Sequence, residues 1–341
     1  MTPLTPDRVA DAVAGTLGDV EPGADPLAEA LHWLRMDGMF YCRSELTGPW
    51  GVDLPPLPDC LWFHVVTHGG CELTTVTGAH HQLAEGDVVV LPHGAGHSAV
   101  DVVGSPTPVV FDLPHHYISR QYAILRHGGG GARSDIICGV AQLGHPVARR
   151  LIALLPEVIH VRAAAQRREW DWLPGVLAMI AGELASTRPG GETIVTRLCD
   201  VLVIQAIRWW IETDPHAHTG WLGALRDPTV GRAVGLMHAD PARNWSVTSL
   251  AAEVGLSRSG FSARFTEMVG QSPKQYLTTW RMRLAEDRLA RERTPILQLA
   301  NELGYGSEAA FSRAFKREIG VAPSHVPARP DVMALAEEFS A

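Results

Sequence analysis

The sequence predicts an α+β chain: an N-terminal β-barrel, a helical dimerisation segment, and a C-terminal all-α module with two helix-turn-helix units. Three observations predict it. Residues Val247 to Pro273 are echoed about fifty positions later by Ile296 to Pro323. From Cys60 to about Leu143, short apolar segments alternate with turns rich in Gly, Pro and His. From Pro146 onward apolar residues recur every three or four positions, the helical period. A chain of 341 residues fits about two cores, and the expected divisions are 1–145, 146–228 and 229–330.

The first forty residues alternate helical runs, such as Leu27 to Met36, with Pro and Gly breaks. Strands are expected at Leu61–Thr67, Cys71–Thr77, Asp87–Leu91, Ser98–Val103, Pro108–Leu113 and Asp135–Val140, a spacing that suits a small barrel or jelly roll. Helices follow at Val147–Val161, Asp171–Ala185 and Thr193–Glu212. The third carries a wide stripe of Leu198, Val201, Leu202, Gln205 and Trp209, which fits either a core-facing helix or a homodimer contact. Asp214 to Asp227 reads as a linker.

In the C-terminal repeat, Ser257, Phe261, Phe265, Gly270 and Pro273 return 50 positions on as Ser307, Phe311, Phe315, Gly320 and Pro323. Upstream the offset is 49, pairing Leu250, Ala251 and Gly255 with Leu299, Ala300 and Gly304, so one residue is added in the second turn. Each copy outlines a helix, a Gly-containing turn and a second helix starting at a Ser, the pattern of a helix-turn-helix whose second helix enters the major groove. The Phe pairs share a face and belong to the core. Ser257, Arg258, Ser259, Ser262 and Arg264 in the first copy, and Ser307, Glu308, Ala309, Ser312, Arg313 and Lys316 in the second, are then the candidates for base or phosphate contact. Between the copies, Pro273 to Arg291 reads as one helix, capped by Ser272 and carrying Arg281, Arg283, Arg288 and Arg291.

Charge is distributed in keeping with this division. The chain has a net charge of −8, yet residues 229–330 hold 14 Lys or Arg against 9 Asp or Glu, a net of +5. A basic module on an acidic body is the footprint of a nucleic-acid-binding half joined to a sensing half. The five cysteines form no CxxC pair, so neither a disulfide framework nor a zinc ribbon is implied. With no apolar run of 18 residues and no basic, apolar leader, the expectation is a soluble cytoplasmic protein without a membrane partner.

The segment WSVTSLAAEVGLSRSGFSARFTEMVGQSPKQYLTTWRMRLAEDRLA, followed by LANELGYGSEAAFSRAFKREIGVAPSHV, resembles the C-terminal DNA-binding domain of the AraC/XylS regulators over about a hundred residues. The resemblance implies seven helices and control of a nearby promoter. It further implies activation as the usual outcome, a homodimer, and RNA polymerase as a partner on double-stranded promoter DNA.

In the N-terminal half, Gly86-Asp87, then Pro92-His93-Gly94 and His97, fit the second cupin motif, and LWFHVVTHGGCEL resembles the strand pair carrying the first. The HxH and Glu ligands of cupin enzymes are missing: Trp62 stands near the expected Glu, with His64 two residues later. The whole resembles AraC-type regulators with a cupin sensor. His64, His93, His97 and Cys138 are placed to converge if the barrel forms, and imidazole with thiolate suits Zn²⁺. Alternatively, His93 and His97 satisfy turn amides and Cys138 is a core thiol. His127 to Arg133, with four consecutive glycines, lacks the Gly-Lys-Ser/Thr of a phosphate loop and reads as a hairpin loop.

These readings combine into a sequence-specific regulator whose barrel is controlled by an unidentified small-molecule effector or a metal. Two rivals remain: a cupin metalloenzyme fused to a DNA-binding domain, and a constitutive DNA-binding dimer whose barrel interior is filled by side chains.

Overall fold

The computed structural model describes residues 36–143, 146–163, 172–185, 189–292 and 294–328. Contacts gather these into two compact units, one running through Ala217 and the other taking His218–Arg288 and the residues from 294 to Val326. The helices after the barrel therefore join the barrel's unit, and the division falls eleven residues before the expected 228/229 boundary. Of the expected helical run Leu27–Met36, residues 27–35 lie outside the described residues, as does Asp171, the first residue of the expected helix Asp171–Ala185.

The first unit opens with β1 (Met36–Thr47), β2 (Gly51–Leu54), β3 (Cys60–His68), β4 (Gly70–Thr75), β5 (His80–Ala84), β6 (Val88–Leu91) and β7 (His97–Val100). After a 3-10 turn at Val110–Asp112 come β8 (His115–Tyr117), β9 (Tyr122–Gly128), β10 (Arg133–Leu143), α1 (Pro146–Ile152), β11 (Ile159–Val161), α2 (Leu173–Ala185) and α3 (Gly191–Thr213). One sheet runs β11-β6-β3-β10-β1-β9-β8 and the other β2-β7-β4-β5. β3 lies between β6 and β10, and Cys60 to Val66 is buried on both faces, so it reads as a continuous apolar run rather than an alternation. β4 alternates half-buried and buried residues, as a strand with one covered face does.

Three expectations are corrected here. Pro108–Leu113 is not a strand; it carries the 3-10 turn, with only an isolated bridge from Val109 to Asp53. The helix expected over Val147–Val161 stops at Ile152, because Pro156 cannot continue it and Ile159–Val161 pairs with β6 instead. The glycine run does not close a simple hairpin. β9 pairs parallel to β1 and β10 antiparallel to it, so the run passes from one side of β1 to the other. The amides of Gly129 and Gly131 donate to the carbonyls of Thr47 and Gly48 at 2.8 and 2.7 Å. At Gly128, with φ of +127°, a Cβ would lie 1.8 Å from the Thr47 carbonyl oxygen. The glycines are there because backbone packs on backbone.

The second unit contains α4 (Gly220–Arg226), α5 (Val230–Ala239), α6 (Val247–Glu253), α7 (Arg258–Val269), α8 (Pro273–Arg291), α9 (Ile296–Glu302) and α10 (Glu308–Ile319). From His218 on, the stretch read as a linker is thus part of this core. Trp221, Leu222 and Leu225 of α4 are buried, and the Trp221 indole donates to the Tyr276 hydroxyl at 3.1 Å. Phe261, Phe265, Phe311 and Phe315 are fully buried, as their spacing predicted.

Candidate nucleic-acid interface and effector cavity

The two helix-turn-helix units are built by the same local rules. α6 and α9 end alike: Leu256 N–H bonds the Ala251 carbonyl at 2.9 Å, and Tyr305 N–H bonds the Ala300 carbonyl at 2.9 Å. These positions are related by 49, whereas the caps Ser257 and Ser307 are related by 50, so Gly306 is the added residue. Each cap hydroxyl accepts an N–H of the first turn, from Gly260 at 3.2 Å and from Ala310 at 3.3 Å. Gly304 has φ of +75° and approaches so closely that a Cβ would sit 2.3 Å from the Ala242 carbonyl oxygen.

Ser257, Arg258 and Ser259 on α7, and Ser307, Glu308, Ala309, Arg313 and Lys316 at and along α10, are exposed; Ser262 and Ser312 are half-buried. Arg264 is committed elsewhere. Its guanidinium pairs with Asp227 at 2.5 Å, and the same carboxylate accepts the Thr229 hydroxyl and the N–H groups of Thr229 and Val230. Burial alone would raise the Asp227 pKa, but these hydrogen bonds, led by Arg264, outweigh burial and hold it well below the usual carboxylate range. Arg281 is likewise internal: it donates to the carbonyls of Pro241 and Arg243 at 2.6 and 2.9 Å, with its guanidinium 5.8 Å from the centre of the Tyr305 ring. Arg283 pairs with Glu286, and Arg288 with Glu302. The roles of Asp227 and Arg281 carry no motif, since their partners lie about forty residues away.

In the barrel, side chains from both sheets enclose a cavity of about 40 Å³. Of the four residues expected to converge, His64 and Cys138 line it, and they are cross-strand neighbours on β3 and β10. His97 reaches His64, with their Nε2 atoms 2.6 Å apart. Its Nδ1–H donates to the Ala95 carbonyl at 3.2 Å, so its Nε2 accepts from His64. His93 is not part of this group, because its Nε2 donates to the Leu155 carbonyl at 3.0 Å. Among the described residues no cluster of three or more His, Cys, Asp or Glu is arranged to hold a metal ion. Burial, reinforced by His97, lowers the His64 pKa; burial also brings His97 down to about 4, against the opposing bond to Ala95. Burial pushes the thiols of Cys42 and Cys71 up to about 12 and that of Cys138 higher still, so all three are neutral thiols at ordinary pH.

Comparison with known proteins bears on both halves. Residues 25–212 match a cupin family model and residues 250–329 a helix-turn-helix domain. A putative AraC-like transcription regulator of Streptomyces lividans is 33% identical over 312 residues, covering 90% of this chain and 99% of that protein. The chain belongs to the AraC-like transcription regulators. The HTH-type transcriptional regulator AlkR of Acinetobacter baylyi is 28% identical over 304 residues, covering 88% of this chain and 98% of its own. The DNA-binding domain of AdpA, a global transcriptional factor solved with a target DNA, is 26% identical with a TM-score of 0.28, covering 33% of this chain and 93% of that one. No helix among the described residues is long and apolar enough to cross a membrane.

Proposed function

We propose that this AraC-like regulator binds promoter DNA as a homodimer in the cytoplasm, placing α7 and α10 in successive major grooves, and that occupancy of the barrel cavity by a small molecule sets its activity toward RNA polymerase. The observation that carries the reading is the location of uncommitted charge. Arg258 on α7, and Arg313 and Lys316 on α10, are exposed cations without an ion pair among the described residues. Arg264, Arg283 and Arg288 are held by carboxylates and Arg281 by backbone carbonyls. α8, at about 28 Å for its nineteen residues, is a rigid spacer comparable to the groove repeat of about 34 Å. An enzymatic role for the cupin fold is less well supported, because the relatives are transcription regulators and His64, His93 and His97 are engaged with His97, Leu155 and His64 in turn. Zn²⁺ held by His64, His97 and Cys138 would require the two imidazoles to part, since two ligands about 2.0–2.1 Å from one metal stand farther apart than hydrogen-bonded rings do.

The dimer contact is proposed on α3. Its core face includes Val195, Cys199, Leu202, Ala206 and Trp210, so Leu202 belongs to the interior. Ile194 and Val201 remain 42% exposed on the same helix, with Leu198 half-buried beside them. The test selects duplexes from a random-sequence pool with the full-length protein and measures affinity for the enriched sequence against salt. Arg258→Ala or Arg313→Ala is expected to weaken binding by about 1–3 kcal/mol if either reads a base. Val201→Glu should give monomers by light scattering with the fold intact. No enrichment at low salt from a folded protein defeats the proposal.

A further inference from the structure

The barrel cavity is unusual in what its walls lack. Among the described residues no Lys, Arg, Asp or Glu lines it. Its titratable groups are neutral at ordinary pH: burial lowers His64 and His115 and raises the three thiols. His115 Nδ1 donates to the Leu113 carbonyl, and the Ser44 hydroxyl lies 3.9 Å from the sulfurs of both Cys42 and Cys138. Two donors are left over. Trp50 and Trp62 form part of the wall and are 1% and 3% exposed, and the indole nitrogen of each is buried without a hydrogen-bond partner among the described residues. Buried donors almost always find a partner, and one without it bears the full penalty of desolvation.

We propose that the cavity takes a neutral, largely apolar small molecule whose carbonyl- or ether-type oxygen accepts a hydrogen bond from the indole N–H of Trp50 or Trp62. This deepens the reading of the barrel as the effector site and rests on it. An ionised ligand is disfavoured, because entering a wall without countercharge strips its hydration with nothing in return. A purely apolar ligand would fill the space and leave both donors unpaired. The volume has room for about three waters, so a guest larger than a few heavy atoms must displace part of the wall. Val110, Phe111 and His115, all half-buried and outside the two facing sheets' central strands, form the side least held by packing.

The experiment uses full-length protein and three probes of one carbon skeleton: cyclopentanone, cyclopentane and cyclopentanecarboxylate. Indole ¹H–¹⁵N resonances of Trp50 and Trp62 are assigned by their loss in Trp50→Phe and Trp62→Phe. Cyclopentanone is expected to move at least one of them downfield. The corresponding Phe variant should weaken cyclopentanone binding about three- to tenfold while cyclopentane binding is unchanged, and the carboxylate should bind more weakly than the ketone. Equal effects of the variants on ketone and alkane, or a carboxylate that binds more tightly than the ketone, overturn the ligand class and leave the barrel as a ligand site. If no probe binds, the inference fails together with the effector reading.

Discussion

Replacing Asp227 tests whether Arg264 belongs to the scaffold or to the DNA interface. The Asp227 side chain is 7% exposed, and its carboxylate accepts from Thr229 N–H, Thr229 hydroxyl, Val230 N–H and Arg264. The two amides belong to the start of α5, so losing them resembles losing a helix cap, about 1 kcal/mol. The hydroxyl bond adds about 0.5–1.5 kcal/mol. The Arg264 side chain is 51% exposed, so the ion pair is screened and adds only about 0.5–1 kcal/mol. Asp227→Ala should therefore destabilise the helical unit by about 2–3.5 kcal/mol, a fall of about 10 °C or more in Tm for a unit of this size. Asp227→Asn keeps an acceptor for the amides and should cost about 1 kcal/mol. Because the folded pKa is depressed, the advantage of Asp over Asn is present above the unfolded carboxylate range and fades as pH falls below about 4. Calorimetry of the full-length wild type, both variants, Arg264→Ala and the Asp227→Ala/Arg264→Ala double variant supplies the cycle. A coupling near zero, or a loss of DNA affinity in Arg264→Ala as large as in Arg258→Ala, would refute the assignment of Arg264 to the scaffold.

Two further outcomes follow from the same geometry. The His64–His97 pair is held neutral, and a folded pKa depressed below the unfolded value contributes stability above about pH 6.5 that is lost as pH falls toward about 4, the folded value for His97. For His97 alone the drop from 6.5 to about 4 corresponds to on the order of 3 kcal/mol, so pH-dependent melting of the barrel unit should flatten over that window in His97→Gln; an unchanged slope speaks against the pair as its source. The turn glycines should differ in sensitivity. Gly255→Ala, with φ of +69° and no heavy atom within 4 Å of its Cβ, should cost about 1–2 kcal/mol for the left-handed backbone alone. Gly304→Ala adds a backbone clash at 2.3 Å and should be clearly worse; equal melting of the two variants would show that the turn yields freely.

What was legible in the sequence was local in its physics. Helix caps, left-handed turn residues and the Phe pairs act within a few positions, so the duplicated module was readable down to the one-residue difference now placed at Gly306. The strands were readable where they alternate or run apolar, but their order was not. β1 separates β9 from β10, and that pairing joins residues about eighty and about a hundred positions apart. The glycine run was misread for the same reason, since its partner is the backbone of Thr47 and Gly48. At the site, the cupin pattern pointed His64, His93 and His97 at one interior, and Cys138 followed from its apolar strand; His64 and Cys138 are cross-strand neighbours and His97 meets them from β7 of the other sheet, but His93 turns to the Leu155 carbonyl. The unpaired indoles had no signature at all, because a missing partner is visible only once every neighbour is in place.

The charge of the C-terminal module illustrates the same division. A net of +5 over residues 229–330 indicates a preference for polyanions but does not say which cations are available. The structure sorts them. Arg264, Arg283 and Arg288 are paired with carboxylates, Arg281 holds backbone carbonyls, and Arg243 lies over the Trp245 ring at 3.9 Å while pairing with Glu253. Binding through such groups would first require breaking contacts that position α4, α5 and α8. Arg258, Arg313 and Lys316 need no such exchange. They project from the two helices that the repeat had already singled out, and Lys274, exposed at the start of α8, is likewise without an ion pair among the described residues. Salt dependence should therefore track these few side chains rather than the module's total charge, because only cations that displace condensed counterions contribute to the slope.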